Sequence, residues 1–212
     1  MARQNDGLGR PAVANLTNYG ISGDPMVLRF QQLFSGLGQL VGMPPHSAAS
    51  KLYWKIVEQA RKPVFYSSLG VPDTVEGRFD LVGLHTFLVL RRLKGQAKAK
   101  DLGQQLFNAM FDDMDASLRE MGVGDTRVPK RVRELAEDFT GRVQAYDAAF
   151  DDPDALASAI ARNVFDQPNE EGGAVLASYA IQVSEHLTAL PIEQLATGQI
   201  SFLDPVQDGV PK

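Results

Sequence analysis

The chain has 212 residues, a formal net charge of −5 and no cysteine. This length suits one domain, and an apolar share of 44% is enough to bury a sizeable core. The lack of cysteine excludes disulfides, thiolate metal sites and cysteine nucleophiles, and the negative charge argues against general nucleic-acid binding.

The stretch before Asp24 is rich in glycine, asparagine and small polar residues, which predicts a disordered tail over residues 1–23. It has no apolar core of the kind that a secretory signal needs. No run in the chain approaches the roughly 18 apolar residues of a membrane-spanning helix. We therefore expect a cytoplasmic protein, with peripheral contact to the inner face of the cell membrane left open. Residues 204–212 are expected to be loose as well.

Helical periodicity recurs between these two tails, whereas strand signals are scarce. Asp24 and Pro25 form an N-cap and a first helical position, and they predict a first helix over residues 25–41 with one apolar face. A second helix is predicted over about residues 48–61. We interpret residues 65–73, which follow it, as a loop.

The third predicted helix begins near Val75, where Asp73 and Glu76 resemble a capping box, and it ends near Leu93. Apolar side chains surround nearly its whole circumference, which is typical of a buried helix, so we place it at the centre of the fold.

Four further helices and a last short one complete the prediction. They cover about residues 97–121, 128–150, a segment opened by Asp152 and Pro153, 173–190 and 191–198. Short connections favour antiparallel neighbours. The sequence therefore predicts an all-α, single-domain bundle of about seven helices over residues 24–203.

The three histidines, His46, His85 and His186, do not occur in the spacings that zinc proteases or di-iron carboxylate proteins use. His85 lies in the predicted central helix, and His186 lies on the apolar stripe of its own helix. We interpret both as hydrogen-bonded core residues rather than as catalytic or metal-binding ones. Phosphate-binding glycine loops and a nucleophile elbow are also missing from their required contexts. We expect no catalysis, no bound metal, no cofactor and no small-molecule substrate.

The run MFDDMDASLRE holds four acidic residues, which suggests metal binding or acid–base chemistry. Helical geometry separates them. Asp112, Asp115 and Arg119 share one part of the polar face, and Asp115 and Arg119 are spaced to pair. Asp113 and Glu120 lie at its other edge. A solvated, salt-bridged face is the simpler interpretation, and a polar docking surface is the alternative.

Two basic clusters stand out, each beside a predicted helix end. They form either a solvated rim or a patch for anionic lipid, RNA or an acidic partner. The first comprises Arg91, Arg92, Lys94, Lys98 and Lys100, and the second comprises Arg127, Lys130, Arg131 and Arg133. Trp54 faces away from the apolar stripe of its helix. It is either covered by the first helix or an exposed anchor for a partner.

Three long stretches are similar to bacterial members of the ubiquinol–cytochrome c chaperone family, in the family's order. They are KIVEQARKPVFYSSLGVPDTVEGRFDLVGLHTFLVLRRL, LFNAMFDDMDASLREMGVGDTRVPKRV and GRVQAY. The resemblance covers about residues 48–190. It implies a relative of mitochondrial proteins that help newly made cytochrome b to enter ubiquinol–cytochrome c reductase, at the inner membrane and the mitochondrial ribosome.

The resemblance thus implies a non-catalytic assembly chaperone whose client is cytochrome b or another respiratory membrane protein. An anionic membrane surface or a ribosome is a further expected partner. Two alternative hypotheses come from other classes. One is an enzyme that uses the acidic run together with His85, and the other is a peripheral membrane or RNA-binding adaptor.

Positions that match the family's motifs are mostly charged, and with Trp54 they form the hypothetical client surface. They are Arg61, Tyr66, Asp73, Glu76, Arg78, Asp80, Asp112, Asp115, Arg119, Asp125 and Arg142. Two compatible roles follow for the charges of the stretch LGVPDTVEGRFD. They form an ion-pair network that ties this stretch to the turn GVGD, or they contact a client.

Overall fold

The structure, a computed structural model, describes residues 47–99, 101–165 and 167–205. Within these ranges the chain forms eight α-helices and one short 3₁₀ helix, without strands. The helices are α1 (Ala48–Ala60), α2 (Pro63–Ser67), α3 (Val75–Leu93), α4 (Leu102–Glu120), α5 (Val128–Ala149), α6 (Pro153–Val164), α7 (Glu170–Ala189) and α8 (Ile192–Ala196). The predicted all-α class is confirmed. The predicted helix over residues 25–41 lies outside the described residues.

Helix α3 is the central helix that its apolar circumference predicts. Fourteen of its 19 residues are buried, and it packs against α1, α4, α5, α6 and α7. Side chains such as Phe87 and Leu88 have no exposed surface. Burying one side chain of this size stabilises the fold by about 1.5–3 kcal/mol, so α3 organises the core of the bundle. No helix in the described part of the chain is both long enough and apolar enough to cross a membrane.

The start of α3 is predicted correctly, but its cap is not. Thr74 is the N-cap, and its side chain accepts a hydrogen bond from the Gly77 N–H at 3.1 Å. Asp73 instead accepts a hydrogen bond from Arg78 Nε at 2.7 Å. A β-carbon on Gly77 would lie 2.1 Å from the carbonyl oxygen of Pro72, so only glycine fits this entry turn.

Helix α2 corrects the interpretation of residues 65–73 as a loop. Pro63 lies in the first turn of this helix, where backbone N–H groups have no acceptor within the helix, so the N–H that proline lacks is not needed. Phe65 of the same helix is fully buried. A helix of five residues is too short to show a periodic pattern in the sequence. The fourth predicted helix also begins later than expected, because Ala97–Ala99 form a 3₁₀ helix before α4.

His85 confirms the prediction of a hydrogen-bonded core histidine. Its ring is fully buried, with Nδ1 2.7 Å from the Leu81 carbonyl oxygen and Nε2 2.9 Å from the Tyr179 hydroxyl. The Gln59 amide donates to the same hydroxyl at 2.8 Å. Because a carbonyl oxygen only accepts, Nδ1 carries the proton and the Tyr179 hydroxyl donates to Nε2. Both nitrogens of a neutral ring are therefore satisfied.

The other two histidines differ from His85. His186 was predicted to lie in the core, but its ring is half-exposed and lies 3.1 Å from the Ser201 carbonyl oxygen. The sequence places His186 on the apolar stripe of α7. The short C-terminal segment around Ser201 covers only one side of that stripe. His46 lies outside the described residues.

Acid is expected to destabilise this protein through His85. Burial lowers the pKa of His85 to about 4, whereas a histidine in an unfolded chain titrates near 6.5. Between these two values the unfolded chain binds a proton that the native state does not. The free energy of unfolding therefore falls as the pH drops from about 6.5 to about 4, by about 3 kcal/mol in total. Urea unfolding across this range measures the loss.

The matched variant is His85→Gln, whose side chain does not titrate. The wild type is expected to lose about 3 kcal/mol more than this variant between pH 7 and pH 4. Equal pH dependence in the two proteins would contradict the assignment of a neutral, buried ring.

Candidate functional site

A groove of about 550 Å³ opens between helices α1, α3, α4 and α5. Its apolar lining consists of Tyr53, Val57, Val75, Phe79, Val82, Met114, Leu118, Met121 and Leu135. Its charged lining consists of Arg61, Arg78, Arg131, Arg142, Glu76, Asp80, Asp113, Glu120 and Asp138. Four arginines and five carboxylates nearly cancel, so the groove suits a partner that is apolar and carries little net charge.

Exposed apolar side chains gather at this groove. Val75 and Met121 line it and are 55% and 51% exposed. Trp54 is 54% exposed and lies beside the groove residue Tyr53, with 5.9 Å between the two ring centroids. It also precedes Val57 by one helical turn. These are the exposed large apolar residues of the described ranges, and their concentration at one place is typical of surfaces that bind a partner.

A buried ion pair lies at the base of the groove. Arg142 Nη2 lies 2.8 Å from Asp80 Oδ1, and the two side chains are only 19% and 10% exposed. The guanidinium also lies 5.6 Å from the centre of the Phe79 ring. Arg142 Nε and Nη1 are buried and have no hydrogen-bond partner among the residues that the structure describes. Asp80 therefore supplies the opposite charge that keeps this guanidinium in the interior.

Polar contacts also position the walls of the groove. The Tyr53 hydroxyl donates to Asp113 Oδ2 at 2.6 Å, which connects α1 to α4. Burial and the Asp113 carboxylate raise the pKa of Tyr53, so the phenol keeps its proton. On the opposite wall, Arg131 lies 3.2 Å from Glu134 and 3.9 Å from Glu76. The pairs of Arg131 are exposed and contribute less than about 1 kcal/mol each, so the part-buried hydrogen bond from Tyr53 to Asp113 is the stronger link.

Five residues of the predicted client surface line the groove: Arg61, Glu76, Arg78, Asp80 and Arg142. Trp54 and Asp73 flank it, since Asp73 pairs with Arg78 on its rim. Four further groove residues, Tyr53, Val75, Asp113 and Met121, are not among the residues of the predicted client surface. In the sequence, Asp113 lies at the edge of a polar helix face, and Tyr53 is part of a different helix. Only the packing of α1 against α4 brings them together.

The remaining residues of the predicted surface lie elsewhere. Arg119 Nε lies 2.6 Å from Asp115 Oδ2, and Arg119 Nη1 lies 2.7 Å from Asp125. These ion pairs join the last turn of α4 to the turn that follows it. They agree with the interpretation of the acidic run as a solvated, salt-bridged face. The Tyr66 hydroxyl donates to the Ala60 carbonyl oxygen at 2.7 Å. Asp112 is half-buried, and burial together with Asp115 raises its pKa.

The acidic run also bears on the metal hypothesis. Within the described ranges, no three acidic or histidine side chains come together in an arrangement that would hold a metal ion. Asp113 accepts a hydrogen bond from Tyr53 of α1, whereas Asp115 accepts one from Arg119 of its own helix. The two carboxylates therefore have different partners and do not converge on one point.

The stretch LGVPDTVEGRFD is not tied to the turn GVGD in the way that we predicted. Its residues Glu76 and Asp80 pair with Arg131 and Arg142 of α5. Asp125 of the turn pairs back to α4 through Arg119. The ion pairs therefore join the start of α3 to α5, along one wall of the groove.

The first basic cluster is engaged inside the fold. Arg91 lies 2.8 Å from Asp147 and 4.0 Å above the Phe150 ring, and Lys94 lies 3.2 Å from Asp147. Arg92 donates to the carbonyl oxygens of Leu187 and Leu190 at 2.9 and 3.0 Å, so it caps the end of α7. Lys100 and the side chain of Lys98 lie outside the description.

The second basic cluster is more accessible. Arg127 and Arg133 are exposed, and Lys130 lies 3.9 Å from Glu134. Arg127 and Lys130 line a shallow depression that also includes Met121, so this cluster adjoins one end of the groove. Asp147, the partner of Arg91 and Lys94, lies about 25 Å along α5 from Lys130, so the two basic clusters do not form one patch.

Comparisons with known proteins agree on one family. The sequence model of the family described as ubiquinol-cytochrome C chaperone matches residues 67–202. A protein of Xenopus laevis named ubiquinol-cytochrome-c reductase complex assembly factor 1 is 25% identical over 158 residues, which covers 72% of this chain and 79% of that protein. The protein of that name in Mus musculus is 26% identical over 160 residues. That match covers 73% of this chain but 54% of the mouse protein, so the chain spans about half of its length.

A solved structure shares both the fold and part of the sequence. The crystal structure of the Cbp3 homolog from Brucella abortus superposes with a TM-score of 0.69 at 38% identity. The superposition covers 88% of this chain and 100% of that one.

Proposed function

The chain belongs to the ubiquinol-cytochrome C chaperone family, and from this premise we propose that it is a non-catalytic chaperone in the assembly of ubiquinol–cytochrome c reductase, with cytochrome b as its client. In this proposal the groove holds an apolar segment of the client until that segment meets its partner subunits. The observation that supports it most is the gathering of Val75, Met121 and Trp54 at a groove of nearly balanced charge.

The energetics of the groove suit transient holding. Each of these three side chains is already about half-buried, so covering the rest contributes on the order of 1 kcal/mol apiece. Such a surface binds an apolar segment reversibly, and it does not compete with the permanent packing of that segment in the assembled complex. The polar groups of the groove are engaged in pairs such as Asp80 with Arg142, which supports binding rather than proton transfer.

A position close to the membrane is part of the same proposal. The exposed Arg127 and Arg133 lie at the start of α5, next to the end of the groove that contains Met121. Basic residues beside an apolar groove suit an anionic headgroup surface from which an apolar client segment emerges.

Deletion of the gene is expected to remove ubiquinol–cytochrome c reductase. The reason is that cytochrome b would lack the surface that protects its apolar segments before assembly. The heme b absorbance of isolated membranes and the amount of assembled complex on native gels measure the effect, and a plasmid carrying the wild-type gene is expected to restore both. A normal heme b spectrum and a normal level of the complex in the deletion strain would rule the proposal out.

A further inference from the structure

We propose that residues 25–41 of this same chain occupy the groove when no client is bound. The inference rests on the proposed function, because it assigns a regulator to the same groove. In helical geometry this segment has a continuous apolar stripe, formed by Val27, Phe30, Leu33, Phe34, Leu37 and Val41. A stripe of this width requires cover, and the groove is the place where apolar side chains of the described residues are left exposed.

The connection is short enough to deliver the segment to the groove. The described chain begins at Ser47, which caps α1, and only residues 42–46 lie between it and the segment. An extended connection of this length spans up to about 20 Å. Along α1, the groove residues Tyr53 and Val57 are about 9 and 15 Å from Ser47. The end of the segment therefore reaches the wall that α1 contributes.

The segment is long enough to span the groove. As a helix it would be about 25 Å long. The groove residues of α5, from Arg131 to Arg142, extend over about 16 Å, and those of α4, from Asp113 to Glu120, extend over about 10 Å. One helix laid along the groove therefore covers both the exposed Val75 and the exposed Met121.

Charge favours this occupant as well. The groove carries four arginines and five carboxylates, so a strongly charged helix of either sign would meet repulsion there. The segment contains one charged residue, Arg29, and its polar face carries Gln31, Gln32 and Gln39. Glutamine amides both donate and accept hydrogen bonds, and they contact rim charges of either sign without burying another charge.

An occupant from the same chain regulates client binding. A tethered segment competes at an effective concentration in the millimolar range. The apparent dissociation constant of a client equals its intrinsic dissociation constant divided by the fraction of molecules in which the groove is open. The segment thus covers Trp54, Val75 and Met121 until a client with a better apolar surface displaces it.

Photocrosslinking of the full chain tests the inference directly. The chain has no cysteine, so Met121→Cys creates a single thiol at the groove, to which benzophenone maleimide is attached. The matched control is Asp151→Cys, an almost fully exposed position beyond the far end of α5.

Before irradiation the labelled protein is mixed with the cysteine-free chain grown on ¹⁵N. Mass spectrometry is expected to find crosslinks from position 121 to residues 25–41 of the same, unlabelled chain and none from position 151. Crosslinks from position 121 to the ¹⁵N chain, or only to residues outside 25–41, overturn the proposal.

A second variant separates the apolar stripe from the polar face. Phe30→Ser with Phe34→Ser is expected to reduce the crosslink yield by at least about tenfold and to shift the emission of Trp54 to the red. Gln31→Ser with Gln32→Ser keeps side chains that donate and accept hydrogen bonds, so it is expected to reduce the crosslink yield by less than about twofold and to leave the emission of Trp54 nearly unshifted. Equal yields in the two double variants would overturn the role of the stripe.

The inference and the proposed function fail in different ways. If the crosslink is absent while cytochrome b is still captured from native membranes through the groove, the intramolecular occupant is wrong and the chaperone function stands. If the crosslink forms but no cytochrome b is captured, the occupant stands and the client is wrong.

Discussion

Replacing Arg142 with methionine is expected to lower the free energy of unfolding by about 3–5 kcal/mol. The change leaves the Asp80 carboxylate in the interior without the guanidinium that lies 2.8 Å from it. A buried ion pair contributes little net stability compared with apolar residues, but removal of one partner takes the nearby opposite charge away from a carboxylate that stays in the interior. Urea unfolding at pH 7 measures the loss.

Two further variants identify the cause. Asp80→Leu combined with Arg142→Met is expected to recover most of the loss, because neither charge then remains buried. Arg78→Met breaks the exposed pair with Asp73 in the same region, and it is expected to cost less than about 1 kcal/mol. Similar losses for Arg142→Met and Arg78→Met, or no recovery in the double variant, would show that Asp80 and Arg142 do not act as a buried pair.

The central helix shows what the sequence predicts well. Apolar residues around the whole circumference of α3 leave no face for water, so burial follows from composition alone. The core assignment of His85 follows for the same reason. His186 lies on a one-sided stripe of α7, and there the outcome depends on which segment packs over it. Only the folded chain shows that the Ser201 region covers part of its ring.

Sequence signals near the ends of helices predict the structure less well than the apolar pattern of α3 does. Asp73 and Thr74 both qualify as caps, and the structure uses Thr74 because Arg78 engages Asp73. Helix α2 is too short for a period to appear. The charges of Arg91 and Arg92 suggested a surface patch, but their partners Asp147 and Leu187 are far away in the sequence.

The groove is the part of the candidate site that the sequence alone does not reveal. Four helices line it, and their mutual register decides which side chains face it. The hydrogen bond between Tyr53 and Asp113 joins residues 60 positions apart. The family resemblance indicated Glu76, Asp80 and Arg142, and the structure places these residues in ion pairs between α3 and α5. The apolar contact residues Val75 and Met121 carry no such motif signal.

This difference suggests a division of labour within the groove. In our proposal the charged motif residues stabilise the shape of the groove, whereas the exposed apolar residues Val75 and Met121 contact the client. Substitutions at the base are therefore expected to affect stability first. Substitutions at the rim are expected to affect binding while the fold is retained.

Met121→Asp is accordingly expected to reduce the capture of cytochrome b from native membranes by at least about tenfold. Met121 is about half exposed and follows the last residue of α4, so the lost apolar contact and a carboxylate at the helix end are expected to lower the free energy of unfolding by about 1–2 kcal/mol, which leaves the fold intact. An apolar client segment packed on the new carboxylate would desolvate it, which costs well over the 1.4 kcal/mol that corresponds to a tenfold change in affinity.

Met121→Leu keeps an apolar surface of similar size and is expected to capture normally. Ala148→Asp adds the same charge to an exposed position at the far end of α5 and is also expected to capture normally. Quantitative blotting of cytochrome b after affinity capture compares the three variants with the wild type, and undiminished capture by Met121→Asp would place the client surface elsewhere on the molecule.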